Sequence, residues 1–261
     1  MRSLAILLLV GILLSLCAQG ISPEEIRQKA IESSKNIKTC KFKMMMSTEL
    51  YFGDSNPKSS VTSNVNGAYD LINKKMFMKM TTVMKNPKES FQMISESYLI
   101  NDTMYIKMTH PNGTYRWVKT EMRNDPWNRS NQIKQQIDLL KISEVKRLPD
   151  ETINGTDCYT LELKPDLDKF VELMVSSEQE NIQNISLLKD MLKDVKVKEW
   201  IAKDTFYPIK TQIVTVMEMP MIIGSIKQVT NMTIELYDIN KPVNIELPSE
   251  AESATFLLQP S

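Results

Sequence analysis

The stretch Lys75–Lys85 reads KMFMKMTTVMK, with methionine at positions 76, 78 and 80. A repeat of two is the period of one face of a β-strand, because successive side chains point to opposite sides of a sheet. Valine or isoleucine would suit a rigid sheet face better. Methionine is unbranched and polarizable, and it repacks around irregular shapes. The stretch therefore predicts a strand with an adaptable apolar face.

The same alternation recurs on either side. CKFKMMMSTELYF, from residue 40, sets Phe42, Met44, Met46 and Leu50 against Lys41, Lys43 and Glu49. GDSNPKSS is a turn cluster, VTSNVNGAYDL a more polar strand, and NPKE ends the methionine-rich strand. SFQMISESYLI and TMYIKM flank the dipeptide ND, a hairpin signal, and PNG separates TMYIKM from TYRWVKTEM. Further on, EVKRLPDETI and TDCYTLELK flank NG, and three long strands follow in VKVKEWIAKD, YPIKTQIVTVMEM and IKQVTNMTIELYDI.

Helices interrupt this meander. Ser22 as N-cap, Pro23 at the first helical position and Glu25 completing a capping box start an amphipathic helix with Ile26, Ala30 and Ile31 on one side. DPWNRSNQIKQQIDLLKI carries Ile133, Ile137, Leu140 and Ile142 near helical spacing. The run from Pro165 to Val195 predicts two short helices. Phe170, Leu173 and Met174 share a side of the first, and Leu187, Leu188, Met191 and Leu192 mark the second.

Together these give ten or eleven antiparallel strands and a few helices in one domain over 21–250, an α+β fold, with 251–261 expected as a flexible tail. Twist accumulates from strand to strand, so so long a sheet must curl into a half-open barrel, and the helices must cover its open face. Seven glycines and the lack of a repeat period argue against a propeller or solenoid.

Arg2, the apolar run Leu4–Ala18 and the small-residue AQG motif have the order of a secretory leader over 1–20. Cys17 opens the alternative of a lipid anchor, although Leu16 is a poor residue to precede an acylated cysteine. Cleavage after Gly20 would leave Cys40 and Cys158, an even pair in an exported chain. A disulfide between them would close a loop worth about 4 kcal/mol in the chain-entropy picture; the alternative is two buried thiols. Asn101, Asn112, Asn128, Asn154, Asn184 and Asn231 begin N-x-S/T sequons and are glycan candidates, though Asn and Thr also favour turns on their own account.

The order of segments resembles the LolA-like lipoprotein-carrier superfamily, most closely its mycobacterial LppX/LprG-type branch and that branch's archaeal relatives. SESYLINDTMYIKM, ETINGTDCYTLELKPD, VKEWIAKDTFYPIKTQI and YDINKPVNIELPSEA carry the resemblance, together with the N-terminal helix. It implies a half-open β-barrel closed by helices around a cavity for acyl or isoprenoid chains, in proteins that carry lipids or lipoproteins outside the cytoplasm. This chain departs from that pattern in its many methionines and sequons and in lacking a convincing lipobox.

If Lys41, Lys43, Lys75, Lys79 and Lys107 face solvent, alternation puts Phe42, Met44, Met46, Met76, Met78, Met80, Met104, Ile106 and Met108 on the concave face. Tyr159, Leu161 and Leu163 join them from the later hairpin, and Phe170, Leu173, Met174 and Leu188 are the expected helix lid. The expected ligand is lipid-like and hydrophobic, with a membrane or envelope component as a possible further partner. No cofactor and no metal are expected.

Two other readings remain. The interior could be a packed core in a glycosylated cell-surface structural or adhesion protein. MFMKM and MEMPM could instead bind Cu(I) through soft thioethers, although the chain has a single histidine, His110. Lys+Arg and Asp+Glu balance at 32 each, so no global field attracts nucleic acid. Elbow, P-loop and zinc-protease motifs are missing, so no enzyme is expected.

Overall fold

The computed structural model describes residues 20–53, 59–109, 113–122, 127, 131–177, 185–221 and 224–257. Cys17 and nearly all of the expected leader lie outside the described residues, as do Asn112, Asn128 and Asn184.

Helix α1 (Pro23–Ser34) begins where the sequence places it, with Ser22 accepting a hydrogen bond from the Glu25 backbone N–H at 3.1 Å. Six strands follow as a meander: β1 (Thr39–Phe52), β2 (Ser59–Asp70), β3 (Lys75–Lys85), β4 (Ser90–Ile100), β5 (Thr103–Thr109) and β6 (Tyr115–Glu121). Helix α2 (Gln132–Lys141) then carries the chain to the opposite edge. From there β7 (Ser143–Ile153), β8 (Thr156–Pro165), β9 (Leu192–Ala202), β10 (Pro208–Pro220) and β11 (Ser225–Tyr237) return until β11 pairs with β1. Helices α3 (Leu167–Ser177) and α4 (Ile185–Met191) lie between β8 and β9.

The strand order is β12-β6-β5-β4-β3-β2-β1-β11-β10-β9-β8-β7, a curled, unclosed sheet. Its eleven long strands pair antiparallel. The twelfth, β12 (Thr255–Phe256), is a two-residue strand running parallel to β6. The structure thus takes in part of the stretch expected as a tail. A 3₁₀ turn over Ser249–Ser253 buries Ala251 and Ala254 against Trp117. A short apolar segment gains more by covering an exposed indole than by remaining in water.

The lysines assumed to face solvent do so unequally. Lys43 and Lys79 are exposed, but Lys41, Lys75 and Lys107 are only half so. The Lys107 ammonium lies 4.2 Å from the Tyr115 ring centroid, so its apolar stem is spent on aromatic surface. Phe77, Tyr98 and Trp117 form a chain of ring contacts on the same convex side.

Inside the curl, the core divides in two. One cluster joins Ile26, Leu139, Leu140, Leu161, Leu163, Phe170 and Val197 under α1, α2 and α3. The other joins Cys40, Phe42, Tyr69, Met76, Leu99, Ile133 and Leu236 at the strand ends near α1. Helix α2 spans both, with Ile133 in one and Leu139 and Leu140 in the other. Its buried side also includes Gln136, which no apolar periodicity anticipates.

Candidate functional site

Register decides which side chains share a face. Phe42, Met44 and Met46 sit opposite Gly67, Val65 and Ser63 on β2. Those in turn face Met78, Met80 and Thr82 on β3, with Met76 opposite Tyr69. The ladder continues through Leu99, Ser97 and Ser95 to Met104, Ile106 and Met108 on β5. In the other direction Met44 pairs with Ile234, Ile234 with Thr211, Thr211 with Glu199 and Glu199 with Leu161. Tyr159 and Leu163 flank Leu161 at the same period. All twelve side chains therefore fall on one face of the sheet, the face that α2 crosses.

Sharing a face does not put them in one environment. Phe42, Met76, Leu161 and Leu163 are buried in the two clusters. Met44, Met78, Met80 and Met104 pack half-buried against the second cluster, and Tyr159 against the first. Met46 and Ile106 are half-buried outside both. Exposure rises along β3 and its neighbours, from 0% at Met76 through the half-buried thioethers to 37% at Met108 and 44% at both Met84 and Phe91. The result is a trough whose mostly apolar floor also carries Ser63, Thr82, Ser95 and Ser97. It is plugged at the end near α1 and open at the end where β3 meets β4.

The expected lid residues lie over the part of the expected lining that β8 contributes, Tyr159, Leu161 and Leu163. Phe170 is buried in the first cluster, with Leu173 and Leu188 packed against that cluster. Met174 is 36% exposed. They cover β8–β10, not the methionine floor, because α3 and α4 are tied by sequence to β8 and β9.

A second concavity of about 490 Å³ opens where β8 and β9 part company. Their pairing stops at Leu163 and Val197, although β8 runs on to Pro165 and β9 begins at Leu192. Val145, Leu163, Leu167 and Val195 line it, rimmed by Lys146, Lys164, Lys193 and Lys196 and by Glu144, Glu162 and Asp194. Leu163 alone among these was read from sequence. Splaying of paired strands leaves no signal in a linear pattern.

Between the two clusters lies a polar trio. Gln136 Nε2 donates to Thr211 Oγ1 at 2.8 Å, and Thr211 Oγ1 donates to Glu199 Oε1 at 3.0 Å. All three residues are buried. Burial pushes the Glu199 carboxyl up to about 8, and the Thr211 hydroxyl partly offsets this. Glu199 Oε2 and Gln136 Oε1 have no hydrogen-bond partner among the described residues. In VKVKEWIAKD, Glu199 reads as one more solvated charge on an alternating strand; only the register places it on the concave side.

Of the two alternatives for the cysteines, the structure has the thiols and not the bridge. Cys40 and Cys158 are both free and buried. Cys40 shares the concave face with Phe42, whereas Cys158 precedes Tyr159 and falls on the other side. A sheet stands between them. Of the sequon asparagines, Asn101, Asn154 and Asn231 are exposed, the first two at positive φ in hairpin turns.

Among the described residues no helix is long and apolar enough to cross a membrane. A family described as a family of unknown function (DUF6612) matches residues 22–256. The chain belongs to this family. No curated protein matches it significantly. Among solved structures, it is similar to the Mycobacterium tuberculosis lipoprotein LppX, at 12% identity and a TM-score of 0.44, over 86% of this chain and 100% of that one. It is also similar to a putative outer membrane lipoprotein-sorting protein domain from Vibrio parahaemolyticus (12%, TM-score 0.27, 86% and 95%). A LolA superfamily protein from Nitrosomonas europaea is a third (12%, TM-score 0.25, 88% and 97%). Two of these names are the ones that the sequence resemblance leads one to expect. None of the three carries an argument about what this chain binds.

Proposed function

We propose that this DUF6612 member is an exported binding protein that holds a lipid-like molecule in the methionine-lined trough and carries or presents it without catalysis. The observation that supports this reading is the methionine-rich concave face, mostly apolar with Ser63, Thr82, Ser95 and Ser97 among its thioethers, and increasingly exposed along its length. Large contiguous apolar surface left open to water marks a binding site. Thioethers suit it to a flexible guest, and each CH₂ of that guest buried there contributes about 0.8 kcal/mol without any specific polar contact. The expected leader and the exposed sequon asparagines support an extracytoplasmic setting.

A fluorescent fatty-acid probe tests the reading on the chain from Ile21 onward, which holds every described element of the fold. The wild type should give saturable enhancement, and Met78→Asp and Met104→Asp should each weaken it about tenfold or more, as a charge on the floor must be desolvated. No saturable signal, or equal signals from all three proteins, would end the proposal.

The filled half beneath α2 and α3 favours a second reading, a glycosylated surface protein whose interior needs no guest. Solvent extraction and mass spectrometry of the purified chain separate the two. A co-purifying lipid supports the carrier, and a bare glycosylated chain supports the structural role.

A further inference from the structure

Both apolar concavities open at the same end of the sheet. The register puts the last residues of β1, β3, β5, β8 and β10 at this end, with the first of β4, β6, β9 and β11. Large apolar side chains stand exposed around it: Phe52, Met84, Phe91, Met108 and Tyr115 on the strand ends, Met221 after β10, and Leu167 at the mouth of the second concavity. Four exposed cations accompany the part formed by β1–β6, β10 and β11, namely Lys85, Lys88, Arg116 and Lys227. Two exposed acids, Glu89 and Glu218, stand with them among the described residues. The whole chain is neutral, so this excess of positive charge is local.

We infer that this lip is a docking surface for an anionic lipid bilayer. Aromatic and long apolar side chains flanked by lysine and arginine form the pattern that settles into a headgroup region. The apolar groups enter the acyl boundary and the cations face anionic headgroups. Continuity with the trough gives the contact a purpose: Met78 and Met80 lead through Met93, diagonal to Met80 and Met84, to Met84, Phe91 and Met108, on a face that also carries Ser63, Thr82, Ser95 and Ser97. A guest could therefore pass from bilayer to trough while its chain stays out of water, where exposing each methylene costs about 0.8 kcal/mol. This purpose rests on the proposed function. The docking itself does not.

The test is flotation of the chain from Ile21 onward with vesicles of phosphatidylcholine alone or mixed with phosphatidylglycerol. The wild type should float with the mixed vesicles, and high salt should weaken this. Met84→Asp/Phe91→Asp should lose about tenfold or more in vesicle affinity, and Lys85→Glu/Lys88→Glu should lose the preference for phosphatidylglycerol. These side chains are exposed, so circular dichroism should show unchanged folding. Ile72→Asp, exposed at the opposite end, should float like the wild type.

Met78→Asp, deep in the trough, separates the two proposals. It should lose the fatty-acid probe and keep the vesicles. If vesicles bind and the probe does not, the trough reading fails and the lip stands. A wild type that stays with the protein fraction, or a Met84→Asp/Phe91→Asp chain that floats as well as the wild type, overturns the docking surface. So does loss on Ile72→Asp equal to that at the lip.

Discussion

Gly67 on β2 lies beneath the ring of Phe42 on β1: a Cβ built on Gly67 would stand 2.4 Å from Phe42 Cζ and 2.5 Å from the Phe77 carbonyl oxygen. The ring that occupies this space stacks on Tyr69 at a centroid separation of 4.9 Å, and together they plug the closed end of the trough. Gly67 is therefore a packing residue, required for the room it leaves and not for its conformational freedom. Gly67→Ala should destabilise the chain by about 1–3 kcal/mol, as overpacking does in a close-packed core. Urea unfolding would measure it, and a midpoint equal to wild type would show that the ring can move aside.

Met76 and Met80 test whether plug and trough do different work. They lie on one face of one strand, but Met76 is fully buried against the plug while Met80 is half-buried along the floor. Met76→Ala should cost about 2–5 kcal/mol of stability. Met80→Ala should cost under about 1 kcal/mol and instead weaken probe binding. Equal stability losses at the two positions would mean that the floor is ordinary core.

Cys40 and Cys158 should behave as buried thiols. Burial pushes Cys40 up to about 12 and raises Cys158 as well, so little thiolate exists at neutral pH. A thiol reagent should label neither in the native chain from Ile21 and both after unfolding, and reductant should leave Tm unchanged. A denatured, unreduced chain without free thiol would show that the pair is bridged.

Glu199 sets a pH dependence whose sign follows from its burial. Its folded-state pKa, about 8, lies above the value of about 4.3 in an unfolded chain. Between those values the folded state holds a proton that the unfolded state has released, so stability falls as pH rises from about 4.3 to about 8 and then levels off. Glu199→Gln should flatten this slope, measured as Tm between pH 5 and 8, and make the chain more stable than wild type at pH 8. A Glu199→Gln chain with the wild-type slope would assign the dependence to other groups.

Much of the strand architecture was legible because it is local. The sequence places the Asn101 and Asn154 turns, the Ser22 cap and the period of two in KMFMKM, and the residues concerned lie within a few positions of one another. The face shared by Phe42, Met78 and Met104 follows from the same period once short hairpins fix the register. The trio of Gln136, Thr211 and Glu199 was not legible, since it joins groups 12 to 75 residues apart and each looks unremarkable where it stands.

Sequence by itself thus determined that this chain is a curled antiparallel meander with an adaptable apolar face, because alternation and turn chemistry act over a few residues. Tertiary structure alone decided which half of that face is filled. The route of α2 from β6 to β7, the tie of α3 and α4 to β8 and β9, and the sheet standing between the two cysteines all depend on where distant segments end up. Three helices gather over one half of the interior while α2 alone reaches the methionine half, through Ile133 and Ile137, and the period of a strand carries no information about what crosses above it.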